Sequence, residues 1–166
     1  MCSYTGAMDT LIVFGGKYMI ALPVVVLVGY FFLLPKEGRY RFAGVAVLSA
    51  LFAYGFARVA ELFYSHVQPF AAQGFEPLIS HTVDNAFPSD HATLAAALAT
   101  TIFFYSRWLG LVLWVLALLI GFSRVAAGLH YSLDVVAGAL LGFAAALCAR
   151  FLVRFFAEKF SHQSVL

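Results

Sequence analysis

Between two long apolar runs the chain reads Ser123-Arg124-Val125-Ala126-Ala127-Gly128-Leu129-His130-Tyr131-Ser132-Leu133-Asp134. Arginine, histidine and aspartate are costly at bilayer depth and are placed there for function. His130 and Asp134 are four residues apart, the spacing that puts two side chains on one face of a helix. A carboxylate so placed accepts from one imidazole nitrogen and raises the basicity of the other, which suits a nucleophile and its orienter. Arg124 lies just upstream and offers a planar fork of donors to a phosphate. A second cluster, Pro88-Ser89-Asp90-His91, opens another apolar run. Ser89 or Asp90 fits an N-cap there, and a helix start presents free amides and a positive dipole end to an anion. Ser89 adds a hydroxyl, and His91 an imidazole able to protonate a leaving oxygen.

Taken singly, these residues have plainer meanings: a capping histidine, a topology-setting arginine, an N-cap aspartate. Taken together they describe phosphoryl transfer through a covalent intermediate. His130 attacks phosphorus while Asp134 stabilises its charged form. Arg124, Ser89 and backbone amides hold the equatorial oxygens. His91 serves first as acid and then as base for the water that breaks the phosphohistidine. No carboxylate cluster or Cys/His set suggests a metal, so the expected chemistry needs neither metal nor other cofactor.

The elements that must position these groups are membrane helices. The chain has 166 residues, 63% of them hydrophobic and only 11% charged, a composition that fits one membrane-embedded domain over residues 1–166. A net charge of +2 without a basic run argues against nucleic acid as a partner. Cys2 and Cys148 provide neither a disulfide framework nor a metal quartet. The first ten residues lack the basic leader of a cleavable signal, so the first apolar run is expected to remain as a span. The apolar runs predict five spans, near residues 11–34, 42–64, 91–106, 109–122 and 133–156. Residues 35–41 read as a basic loop, Arg107-Trp108 as a tight turn, and Pro69 as the end of any helix before it. Residues 70–87 form a long polar loop, of the kind that carries function. The fold expected is an all-α polytopic membrane bundle of about five transmembrane helices, with the site at their outer ends. Lys36, Arg39, Arg41, Arg107, Arg150, Arg154 and Lys159 gather on one side; Arg58, Arg124, Glu61, Glu76, Asp84 and Asp90 gather on the other. The basic side is expected to be cytoplasmic, which turns the N-terminus and both polar clusters outward.

Residues 88–91 and the pattern Ser123-Arg124, His130, Asp134 resemble the second and third signatures of the type 2 phosphatidic-acid phosphatase superfamily. The run Asp84-Asn85-Ala86-Phe87-Pro88-Ser89-Asp90-His91 is similar to bacterial undecaprenyl-diphosphate phosphatases of the bacitracin-resistance type. The likeness covers roughly residues 58–134 and the surrounding pattern of spans. It implies that His130 is the nucleophile, Asp134 its partner, His91 the acid and base, and Arg124 and Ser89 phosphate ligands. It further implies a lipid diphosphate substrate, undecaprenyl diphosphate, dephosphorylated at the outer face of a bacterial cytoplasmic membrane to recycle a cell-wall lipid carrier. Phosphatidylglycerol phosphate, phosphatidate or a lipid A phosphate are alternative substrates for the same chemistry. A non-catalytic lipid-phosphate binder is a third reading. The family's first signature is Lys, six residues, Arg, Pro; counting back from Pro69, Gln68 and Glu61 stand where the two cations belong. Gln68 still offers a hydrogen bond to phosphate. Arg58, one helical turn from Glu61, either helps hold the phosphate or pairs with Glu61. His66 and His81 are further donors.

The charge asymmetry makes a topological prediction. Single cysteines at Lys36→Cys and Gln73→Cys, in a background lacking Cys2 and Cys148, should label oppositely with an impermeant thiol reagent on intact cells. Labelling of Lys36→Cys from outside would reverse the orientation.

Overall fold

The computed structural model describes residues 6–163, with side chains through residue 159; Cys2 lies outside the described residues. The helices are α1 (Ala7–Lys17), α2 (Ala21–Leu33), α3 (Lys36–Phe63), α4 (Pro69–Gln73), α5 (Asp90–Phe103), α6 (Arg107–Ala126) and α7 (Ser132–Gln163). No strand occurs among the described residues, only an isolated bridge between Val67 and Asn85. Large apolar side chains point outward, including Val47, Leu51 and Leu62 on α3, Val112 and Phe122 on α6, and Leu140 and Phe151 on α7. The interior is small and weakly polar: Ala95, Ala96, Ala97, Ala99, Thr93, Thr100, Thr101 and Ser49 are all buried. That distribution belongs in lipid, where helices gain little from hiding leucine and associate through close packing and short hydrogen bonds. Thr101 supplies one such bond, its hydroxyl donating to Ser49 Oγ on α3 at 3.0 Å.

The chain is a multi-pass membrane protein. α3, α6 and α7 are each long and apolar enough to cross a bilayer. The first expected span is interrupted: α1 and α2 meet at a 48° bend across residues 18–20, a geometry shared by broken spans and re-entrant segments. α5, also expected as a span, has only 14 residues and is too short for a lipid crossing of about 30 Å. It is instead the central helix, packed against α3, α6 and α7 and screened by them. The loop expected at 35–41 is nearly absent, because Pro35 occupies the N-cap of α3 and the basic residues fall within its first turns. Pro69 does not close a helix. It sits at the start of α4, where its missing N–H has no helical partner to lose. Arg107 likewise begins α6, and the turn expected there falls before it.

The tightest seam joins α5 and α7. A methyl group at Gly142 would strike the Thr93 carbonyl, which leaves no room for any side chain at that crossing. Gly142→Ala should therefore cost about 1–3 kcal/mol or prevent assembly. Gly55→Ala on α3, with nothing within 4 Å of the added methyl, should be neutral or stabilising. Thermal melts of the two detergent-purified variants decide it, and equal melting temperatures would contradict this packing.

Candidate active site

The polar clusters meet at one end of the bundle because α6 stops sharply. Its last turn closes with Gly128 N–H on the Val125 carbonyl at 2.9 Å and Leu129 N–H on the Arg124 carbonyl at 3.1 Å. That pair of bonds is the Schellman closure, which requires a left-handed residue; Gly128 supplies it with φ of +80°. Leu129 then turns into a buried apolar cluster with Phe70 and Ile79. Arg124 remains in the last helical turn and His130 lies in the connection to α7. His130 and Asp134 therefore do not share a helix face, contrary to the expectation from their spacing.

His130 and its neighbours are buried, with His130 7%, Arg124 5% and Asp134 0% exposed. His130 Nδ1–H donates to the Ala86 carbonyl at 2.8 Å. That bond assigns the tautomer, leaving Nε2 unprotonated. The Nε2 lone pair faces Arg124 Nη2 at 3.2 Å. Asp134 Oδ2 is 3.9 Å from His130 Nδ1, beyond hydrogen-bond range. The orienter of His130 is thus a backbone carbonyl. Asp134 instead accepts from Tyr131 N–H at 2.7 Å and lies 3.2 Å from His66 Nε2. Burial first, and the adjacent Arg124 charge second, push the His130 imidazole down to about 4; its bond to Ala86 opposes them. It is neutral at pH 7.

Two further atoms near this end of the bundle are buried without partners. Ser89 occupies the N-cap of α5, yet its hydroxyl makes no capping bond, and Ser89 Oγ is buried and unbonded. Arg124 Nη1 reaches the Gly16 carbonyl at 3.4 Å, while Nε has no partner. Buried donors without acceptors are costly, and these two are available to an incoming anion. His91, in the first turn of α5, is within electrostatic reach of Arg124 and His130.

The loop before α5 is what brings Ala86 to His130. Asn85 Oδ1 accepts from His66 N–H at 3.0 Å and Phe87 N–H at 3.2 Å, and Ala86 N–H donates to the His66 carbonyl at 2.8 Å. Gln68, expected to face phosphate, is buried in this loop. Its Oε1 accepts from Asp84 N–H at 2.8 Å and its Nε2 approaches the Thr82 carbonyl at 3.5 Å. Both ends of its amide are directed at backbone, so the structure places it as a clamp on the loop. Arg58 bridges two carboxylates, Glu61 at 2.9 Å and Asp90 at 2.6 Å. The Glu61 pairing left open by the sequence is present, and Asp90 joins it.

Sequence reasoning passed over the Ala86 carbonyl, Asn85 and Gly16, and named His66 only as a spare donor. Backbone acceptors have no residue-type signature. The run 84–91 was the one available pointer to Asn85 and Ala86.

Residues 39–159 match the PAP2 superfamily. The chain is 35% identical to the bacitracin transport permease protein BcrC of Bacillus licheniformis, over 84% of this chain and 69% of that protein. It is 31% identical to the undecaprenyl-diphosphatase BcrC of Bacillus subtilis (strain 168), over 80% of this chain and 68% of that one. Among solved structures it is similar to the transmembrane PAP2-type phosphatidylglycerolphosphate phosphatase from Bacillus subtilis. That likeness has a TM-score of 0.57 and 26% identity, over 92% of this chain and 75% of that one. Aquifex aeolicus LpxE shares the fold, with a TM-score of 0.62 and 23% identity over 86% of this chain and 82% of that one.

The burial of His130 has a measurable consequence. In a 15N NMR titration the imidazole should stay neutral until the pH falls to about 4, against an ordinary value of 6.5. Arg124→Gln should move the midpoint upward, because a repelling charge is gone. The unfolded imidazole protonates first, so the stability carried by neutral His130 is complete above 6.5 and lost as pH falls toward 4. A wild-type midpoint at 6.5 would show that His130 is solvated.

Proposed function

The chain belongs to the PAP2 superfamily, and on that premise we propose that it hydrolyses undecaprenyl diphosphate to the monophosphate. The observation that carries this reading is the neutral His130 Nε2 against the Arg124 guanidinium, with Arg124 Nε buried and unbonded. Ser89, whose Oγ is also buried and unbonded, is joined to Asp134 through its backbone N–H at 3.1 Å. A phosphoryl group that displaces the contact between Arg124 and His130 meets the Nε2 lone pair of the nucleophile and the guanidinium donors for its equatorial oxygens. The name of the Bacillus licheniformis relative suggests transport, but a carrier has no evident need for a tautomer-fixed imidazole on a buried guanidinium.

In the proposed mechanism Nε2 attacks the terminal phosphorus and the bond to the bridging oxygen breaks. Burial first and the Arg124 charge second push the His91 imidazole down to about 4, so in the free protein it is neutral at pH 7. It takes up a proton from solvent as the diphosphate anion binds, and passes that proton to the departing lipid monophosphate. The Nδ1–H bond to Ala86 stabilises the imidazole as it gains positive charge. Arg124 and Ser89 hold the three non-bridging oxygens. His91, now neutral, takes a proton from water, which attacks the phosphohistidine and releases inorganic phosphate. Asp134 acts at one remove, ordering Tyr131 and His66 around the loop that presents Ala86. Arg58 offsets part of the negative charge of Glu61 and Asp90, which would otherwise repel the diphosphate more strongly. A groove of about 510 Å³ lined by Tyr64, His66, Val67, Ala72, Tyr131 and Leu133 lies beside the site and suits the first isoprene units of the lipid. The basic residues at the opposite end favour an orientation with this site outside the cytoplasmic membrane.

Purified protein should release phosphate from undecaprenyl diphosphate faster than from phosphatidylglycerol phosphate, phosphatidate or lipid A phosphate, and EDTA should not stop it. His130→Ala should lose on the order of 10³-fold or more in kcat, since the nucleophile is gone. Asp134→Asn should keep measurable turnover, because Ala86 still orients His130. Preference for another lipid on the panel would change the substrate. Undiminished turnover in His130→Ala would end the mechanism, and no turnover on any lipid would favour a non-catalytic binder.

A further inference from the structure

A cavity of about 430 Å³ opens at the other end of the bundle, between the start of α3, the end of α5 and the last turns of α7. Arg41, Arg150 and Arg154 line it, with Tyr105 and Glu158. α3 rises roughly 25 Å from Arg41 to Arg58, so this cavity is most of a bilayer away from His130.

Orientation in a membrane calls for basic residues at this end, but it does not require them to converge. Arg39 shows the ordinary arrangement. Its Nε and Nη2 donate to the carbonyls of Leu34 at 2.9 Å and Phe32 at 2.8 Å, closing the end of α2, and its guanidinium lies over Phe31. Arg41, Arg150 and Arg154 come from two different helices and instead border one space. All three are within electrostatic reach of Tyr105, which packs edge-on against the buried Phe42. Arg150 lies over the Phe104 ring, 4.2 Å from its centroid, which fixes that guanidinium at the cavity wall. Among the described lining residues three guanidinium groups stand against one carboxylate, Glu158, which leaves this lining positive. Like charges held this closely repel, and an anion that meets several of them relieves the repulsion. Guanidinium forks match phosphate oxygens in geometry, and basic pockets between membrane helices take phospholipid headgroups. Val45, Val153 and Phe104 give the cavity an apolar wall where the rest of a lipid can continue.

We propose that this cavity binds a phosphate-bearing anion, at a second site separate from the one around His130. The phosphate belongs either to an anionic phospholipid headgroup or to free phosphate.

The full chain, purified in uncharged detergent in an Arg124→Gln background that weakens anion binding near His130, should be titrated with phosphatidylglycerol, phosphatidylcholine and inorganic phosphate. Melting temperature is the readout. Phosphatidylglycerol should raise it by about 3 °C or more, and zwitterionic phosphatidylcholine should not. Arg150→Gln with Arg154→Gln should weaken the apparent affinity about tenfold, and Arg41→Gln, on the other helix, should do the same if the double variant fails to fold. An arginine-dependent shift with inorganic phosphate would support the site and assign it the soluble source. Equal shifts in the parent and both variants would overturn the proposal, as would no shift with either anion.

Discussion

A neutral imidazole held between a backbone carbonyl and a guanidinium is the arrangement on which the His130 end of the structure depends. Ala86 fixes the proton on Nδ1, and Arg124 lies opposite Nε2. Each contact comes from a different part of the chain. Ala86 is carried by the loop that Asn85 and Gln68 tie together. Arg124 is held at the end of α6 and by the Gly16 carbonyl at the end of α1. His130 itself is delivered by the turn that Gly128 permits. The interruption between α1 and α2 acquires a purpose in this light, since an unbroken helix would satisfy the Gly16 carbonyl internally. Unbonded buried donors at Ser89 and Arg124 cost on the order of 1–3 kcal/mol each, a cost that the packed helices around them must offset.

The charges around this site illustrate how a pocket accommodates the loss of expected cations. Glu61 and Gln68 stand where the family signature has lysine and arginine. Glu61 would repel a phosphate, but Arg58 takes it and Asp90 into one network. Gln68 is a loop clamp, its amide bonded to backbone at both ends, where an uncharged amide can be buried at far less cost than a guanidinium. In the proposed site one arginine meets the phosphate, and another offsets part of the acidic charge nearby.

Helix packing supplies the rigidity that the loops lack. α5 is too short to be a lipid span, yet it sits at the centre because alanine, threonine and glycine let α3, α6 and α7 close around it. Its first turn brings Ser89 and His91 to the His130 end. Its last turn leads to Phe104 and Tyr105 at the arginine-lined cavity, so the same central helix organises both ends of the bundle.

Local pattern and composition made the helical membrane fold legible, along with the grouping of Ser89, His91, Arg124, His130 and Asp134 at one end. Those features depend on hydropathy and on which side of a span a residue falls, and both are written in the order of residues. Five apolar runs overcounted the spans, of which three or four among the described residues are long enough to cross. Spacing alone misplaced the His130–Asp134 pair, because α7 begins only at Ser132 and leaves His130 in the non-helical connection that follows the Gly128 turn. The partner of His130, the clamp role of Gln68, the bridge from Arg58 to Asp90 and the break that frees the Gly16 carbonyl were decided by the tertiary structure. Each joins groups far apart along the chain or uses a backbone atom that every residue carries, so no residue type could announce it.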